Sequence, residues 1–230
     1  MITVLRNSAV LIGGRRYWLL LLSPLLWLAG QAVLLIAGRL PTFEPASAQN
    51  TLIGVPVAIL GAFLGGRIIA GELDQRTLEI AYTVPGGAHR VWLGKLGAAL
   101  LMLLVSLSLM AAFTFTFFTG FPVVRTLHGA AQAAAFYMVT AMGLGSLFRS
   151  ETAGALGTTT ILGLEGFLVS RLGAAPLVSP FWNPLYVEEA DADQLLAMAV
   201  QNRIGITLAI AAIVGLTFAR ADRREKMLGR

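Results

Sequence analysis

Long apolar stretches make up most of this chain, separated by short polar clusters. Six of them, residues 17–38, 51–70, 96–118, 129–148, 152–170 and 204–219, approach or reach the roughly 20 apolar residues a helix needs to cross a hydrocarbon core. The pattern predicts an all-α integral membrane protein with six transmembrane helices in a single domain, residues 1–230. The last stretch is the shortest. A start near Leu195 would lengthen it and leave Arg203 snorkelling toward the headgroups. Residues 1–14 are too short and too polar to cross. Ile2, Leu5, Ala9 and Ile12 recur there at helical spacing, with Thr3, Arg6 and Asn7 elsewhere, so an amphipathic helix lying in the interface is expected.

Residues inside the spans add detail. Pro24 predicts a kink in the first, and Gln31 is a polar group expected to face protein. Gly61 and Gly65 stand at the small-xxx-small spacing that lets helices approach closely in lipid. Further glycines, Gly143 and Gly145 in the fourth span and Gly154, Gly157, Gly163 and Gly166 in the fifth, argue for a packed bundle. Glu165 sits within the fifth span, where a charge costs about 2.5–3.5 kcal/mol on insertion scales. It is either an acid of a translocation path or a carboxyl near the outer interface, paired with Arg171 or another external arginine or simply protonated. Between the fifth and sixth spans, residues 171–202 form the longest connecting segment, for which a short re-entrant or interfacial helical element is expected. Pro180 and Pro184 break regular helix there, while Phe181, Trp182 and Tyr186 suit the membrane interface.

One polar cluster is dense and patterned. Residues 70–95 read AGELDQRTLEIAYTVPGGAHRVWLGK. Ile69, Leu73, Thr77, Ile80 and Val84 recur every three or four positions, which predicts that the second span continues past the membrane surface as an amphipathic helix. Glu72 and Arg76 are spaced for an i, i+4 ion pair. Pro85, Gly86 and Gly87 stop the helix, and the chain turns back with Trp92 at the interface and Lys95 ahead of the third span.

Composition agrees with the span count. Hydrophobic residues make up 57% and charged residues 13%, about half the charge of a soluble domain. The net charge of +5 is explained by topology rather than by nucleic acid, because basic residues gather on the cytoplasmic side of membrane proteins. With the N-terminus inside, thirteen Lys and Arg residues fall inside and only Arg39, Arg125, Arg171 and Arg203 outside. The expectation is a multi-pass protein of the inner (cytoplasmic) membrane with both termini cytoplasmic. Arg15 and Arg16 precede an apolar run too long for a signal peptide, so that run is read as an uncleaved first span.

Several chemistries are absent from the sequence. There is no cysteine, no G-x-S-x-G and no P-loop; GGAHRVWLGKL has the wrong spacing for one. His89 and His128 fall on opposite sides of the membrane in this topology and share no site. Glu188 and Glu189 resemble the glutamate pair of membrane-embedded prenyl-processing proteases, but Asp193 stands where that pattern has Arg.

The charged segment resembles the hallmark of type-2 ABC transporter permeases, through Glu72, Thr77, Leu78, Glu79, Pro85, Arg90, Gly94 and Lys95. Arg76 stands where that family usually has glycine. Six spans, an N-terminal interfacial helix and Asn183-Pro184 before the last span are also similar. The resemblance implies a cytoplasmic coupling helix between spans two and three that seats on a separate ATPase. Glu72, Arg76, Thr77, Leu78, Glu79, Arg90 and Lys95 would then face that partner or shape the loop. It further implies an exporter of two ABC ATPase copies and two permease chains, this one paired with itself or a relative. This chain would hold no cofactor and be no enzyme, with ATP and magnesium bound in the partner ATPase; membrane lipid would surround it. A proton-coupled carrier using Glu165, or a membrane scaffold that transports nothing, are the alternatives.

Overall fold

The computed structural model of the protein describes residues 2–74, 77–83, 87–172, 175–187 and 191–223. Every long element among them is a helix, the form that satisfies each backbone group within its own segment where lipid offers no hydrogen bonds. The order is α1 (Ile2–Gly13), α2 (Tyr17–Ile36), a turn α3 (Pro45–Ser47) running through a π-helical stretch (Ala48–Gly54) into α4 (Val55–Asp74), then α5 (Leu78–Thr83), α6 (Ala88–Phe117), α7 (Val123–Phe148), α8 (Glu151–Leu172) and α9 (Ala192–Ala221). Six helices are long and apolar enough to cross a membrane: α2, the run Pro45–Asp74, α6, α7, α8 and α9. An even number of crossings puts α1 and the end of α9 on one face, called here the terminal face, with the connection between α8 and α9 on the far face.

Four spans start earlier than their hydropathy suggests. The second begins at Pro45 rather than 51, the third at Ala88 rather than 96, the fourth at Val123 rather than 129, and the sixth at Ala192 rather than 204, close to the alternative start near Leu195. Gln49, Lys95 and Asn202 lower the apolar score at three of these ends, yet each is buried inside the bundle with a partner. Pro24 lies within α2, where it removes the N–H that would bond the Leu20 carbonyl; Ser23 Oγ donates to that carbonyl instead, at 2.8 Å.

α4 is the centre of the bundle. In the most apolar stretch of its span 78% of residues are buried, against 11% in those of α2 and α8 and 22% in that of α9, so the other helices are arranged around it. Apolar burial gives little drive for association in lipid, so close packing must hold the helices together. The closest packing is between α4 and α7. A Cβ on Gly61 would lie 2.7 Å from the Ala134 carbonyl oxygen, and one on Gly65 only 1.9 Å from that of Met138. The small-xxx-small pair therefore marks where two backbones touch. Of the α8 glycines, Gly154 meets Gly145 across the α7–α8 contact, whereas Gly163 and Gly166 face open space.

Gly65→Ala should force α4 and α7 apart and destabilise the bundle by about 1–3 kcal/mol. Gly163→Ala, where a Cβ meets nothing within 4 Å, should leave stability unchanged. Thermal unfolding of the detergent-solubilised variants compares the two.

Candidate functional site

The polar cluster after the second span folds as a hairpin built on a buried charge pair. Glu72, in the last turn of α4, is 6% exposed and Lys95, in α6, is 5% exposed. Lys95 Nζ lies 2.8 Å from Glu72 Oε1, and Trp92 Nε1 donates to Glu72 Oε2 at 3.1 Å. Trp92 and Lys95 are three apart on α6, so both face the same carboxylate. A charge in such a place is tolerated only when paired and hydrogen-bonded, and here both carboxylate oxygens are engaged. Glu72 and Lys95 are thus buried against each other inside the hairpin rather than exposed on its surface.

An aromatic group covers the pair. The Trp92 ring packs against Tyr82 (6.1 Å between centroids), His89 (5.8 Å) and Phe218 (6.0 Å). Tyr82 OH donates to the Ala221 carbonyl at 2.5 Å, and His89 Nε2 lies 3.1 Å from Asp222 Oδ2. The hairpin is therefore fastened to the end of α9.

The continuous amphipathic helix expected from residue 69 to 84 is interrupted. Thr77 is not helical; its N–H reaches five residues back to the Glu72 carbonyl at 2.9 Å, and α5 follows as a separate short helix. Ile69 and Leu73 belong to the core, while Val84 lies outside the described residues, as do Pro85 and Gly86. Gly87, at φ 79°, adopts the left-handed backbone that starts α6. Arg76 also lies outside the described residues, and the Glu72 carboxylate expected to pair with it goes to Lys95 and Trp92. Glu79 and Arg90 are exposed and Thr77 is half-buried; Leu78 is in the first turn of α5.

The base of the hairpin is tied to two more helices through groups the sequence analysis did not single out. Asp74 Oδ2 accepts the Glu151 N–H at 3.0 Å, satisfying a free donor at the start of α8. Arg67 Nε lies 2.8 Å from Glu151 Oε1, and its Nη1 donates to the Ile12 carbonyl at the end of α1, at 2.7 Å. The available signal was Arg67 itself, a charge in a greasy span that demands a partner.

Glu165 belongs to a second polar cluster toward the far face. Tyr137 OH, from α7, donates to one of its oxygens, and Ser179 Oγ, from the segment after α8, donates to the other. Arg171 does not pair with it; its guanidinium stacks over the Phe167 ring at 5.2 Å. That segment, residues 175–187, is folded into the bundle. Asn183 Nδ2 donates to the Ala46 carbonyl (3.0 Å), Gln49 Nε2 to that of Trp182 (3.1 Å), and Asn202 Nδ2 to those of Leu177 (2.6 Å) and Ser179 (2.9 Å). Phe181 and Trp182, expected at the membrane interface, are buried instead; Phe181 stacks on Tyr137 at 5.6 Å. A short 3-10 turn, Pro184–Tyr186, supplies the helical element of this segment. Glu188 and Glu189 lie outside the described residues. Glu151 and Glu165 stand fourteen residues apart on α8, about 21 Å along its axis, so the two clusters are separate sites.

Arg203, expected to snorkel, is held within the bundle. Its Nη1 donates to Gln132 Oε1 at 2.8 Å, and Gln132 Nε2 donates back to the Arg203 carbonyl at 2.7 Å. Among the described residues no group of His, Asp or Glu could hold a metal ion. Comparison with protein-family models, curated proteins and solved structures finds no match for this chain.

Lys95→Met leaves Glu72 buried without its counter-charge and should cost about 3–5 kcal/mol. The double variant Glu72→Leu/Lys95→Met should regain most of that stability. A single variant as stable as the double would show that the two charges are not coupled; thermal unfolding decides it.

Proposed function

We propose that this chain is a permease subunit of an ATP-driven exporter of the type-2 ABC kind, moved by a separate ATPase. One observation carries the reading: α5 is set off from the second span by non-helical Thr77, presents Glu79 to solvent, and adjoins a hairpin base braced by Glu72, Lys95 and Trp92. A surface that transmits force needs such a base, since a soft one would absorb the displacement. In this reading α5 is the coupling helix and lies on the cytoplasmic side, as the arginine distribution favours. α1 is the interfacial helix. Two ATPase copies, which bind ATP and magnesium, close on two such hairpins, one from this chain and one from a second permease, identical or related. The push on α5 reaches α4 and α6 through the Glu72–Lys95 pair and α8 through Asp74. Access to the path between the permeases then changes sides. The sequence has no P-loop, consistent with hydrolysis by another polypeptide.

Glu79→Lys should weaken association with the ATPase by about tenfold or more, because like or mispaired charges at an interface cost several kcal/mol. Co-purification and substrate-stimulated ATP hydrolysis in reconstituted membranes measure it. Glu79 is exposed, so the folded yield should not change; unaltered assembly and hydrolysis would sink the assignment.

A proton-coupled carrier is the competing reading, motivated by the Glu165 carboxyl and its two hydroxyl partners. Glu165→Gln separates the two. A carrier loses the proton dependence of transport, whereas the proposed permease keeps its dependence on ATP and changes only in substrate handling.

A further inference from the structure

On the open side of α7, away from both clusters, a groove of about 310 Å³ runs between α6 and α7. Its walls are apolar: Leu100, Leu103, Leu104 and Leu107 from α6, Ala131 and Ala135 from α7. His128 and Gln132 are its polar members, one helical turn apart on the same face of α7. Gln132 is the residue that holds Arg203. Its amide is fully used in doing so, donating to the Arg203 carbonyl and to Thr207 Oγ1 (3.3 Å) while accepting from the guanidinium.

The guanidinium itself is left rich in donors. It carries five N–H groups, of which one is engaged by Gln132. No carboxylate among the described residues pairs with it. Gln132 fixes its place without neutralising it. A positive charge within a span is costly, and one without a carboxylate partner among the described residues is stabilised by an anion brought beside it.

Depth identifies the kind of anion. Gln132 lies sixteen residues from the terminal-face end of α7 and Arg203 eighteen from that of α9, about 24 and 27 Å of helix. Both helices, about 39 and 45 Å long, outrun a hydrocarbon core of about 30 Å, so the charge stands in the far half of the bilayer, on the headgroup side of its midplane. From there the groove follows Leu107 to Leu100 toward the midplane for about 10 Å. A cation in the far half of the bilayer, held by a residue that lines an apolar slot directed at the bilayer centre, matches an amphiphile with an anionic head.

We propose that Arg203 and the α6–α7 groove form a binding site for a phospholipid of the far leaflet with a net negative headgroup. The headgroup meets Arg203 and His128, and one acyl chain lies along Leu100, Leu104 and Leu107. The site does not depend on the coupling role of α5, and its test involves no ATPase.

The experiment is lipid retention by the purified full chain, read by native mass spectrometry with phosphatidylglycerol or phosphatidylcholine of the same acyl chains. The wild type should retain phosphatidylglycerol about fivefold or more over phosphatidylcholine, the selectivity of one well-placed arginine. Arg203→Gln should abolish that preference. Leu104→Trp, which fills the groove and leaves the charge in place, should lower retention of phosphatidylglycerol to a similar extent. Arg125→Gln, at an exposed position near the start of α7, should change nothing. Equal retention of the two lipids overturns the proposal, as does a preference that survives Arg203→Gln. Displacement of phosphatidylglycerol by equimolar fatty acid or inorganic phosphate also overturns it, since the anion would then have another source. Should Arg203→Gln fail to fold, Leu104→Trp decides alone, and retention at the wild-type level refutes the site.

Discussion

The backbone contact between α4 and α7 is the constraint to which the rest of this structure answers. Gly61 and Gly65 admit the carbonyls of Ala134 and Met138 to a distance at which no side chain fits. That contact puts α4 in the middle, and a helix in the middle cannot send its polar groups to water. Arg67 and Glu72 have therefore found partners on neighbours, and so has Asp74, which is exposed at the helix end. Arg67 takes Glu151 and the end of α1, Glu72 takes Lys95 and Trp92, and Asp74 takes the start of α8. At the other end, Gln49 reaches the Trp182 carbonyl. The polar clusters at the two faces are what burial of one helix demands.

The peripheral helices obey a different economy. α2, α8 and α9 leave most of their surface to lipid, which solvates Leu as well as another Leu does. Their position is fixed by backbone proximity and by discrete polar bonds. α9 illustrates the second: Asn202, Gln132–Arg203 and the Tyr82–Ala221 bond hold it at successive depths. Loss of one such bond in hydrocarbon strands its partner, so they specify position more sharply than an apolar contact would.

The spans were legible because a long apolar run has one stable answer in lipid. The glycine spacing of the second span was legible for the same reason, since few other residues permit so close an approach. Span starts were not, because a hydropathy window counts Gln49, Lys95 and Asn202 as solvated when tertiary partners bury them. The Glu72 pairing was hidden by a competitor. Arg76 stands at the favourable i+4 position, whereas Lys95, which the fold brings to the carboxylate, lies twenty-three residues on. Phe181 and Trp182 have the character of interface residues, and nothing local reveals that Asn183, Gln49 and Asn202 will draw their backbone inside. Arg203 was visible as a charge, but the residue that holds it lies on another helix.

α8 shows what such clasps do together. It is gripped at one height by Asp74 and Arg67 and at another by Tyr137 and Ser179, while most of its surface is open to lipid. A hydrogen-bonded helix resists shortening far more than it resists sliding. Pulled at its lower grip, it moves as a rod, and the segment at residues 175–187 must follow or let go. The chain thus contains a strut of about 21 Å whose two ends answer to different faces of the membrane.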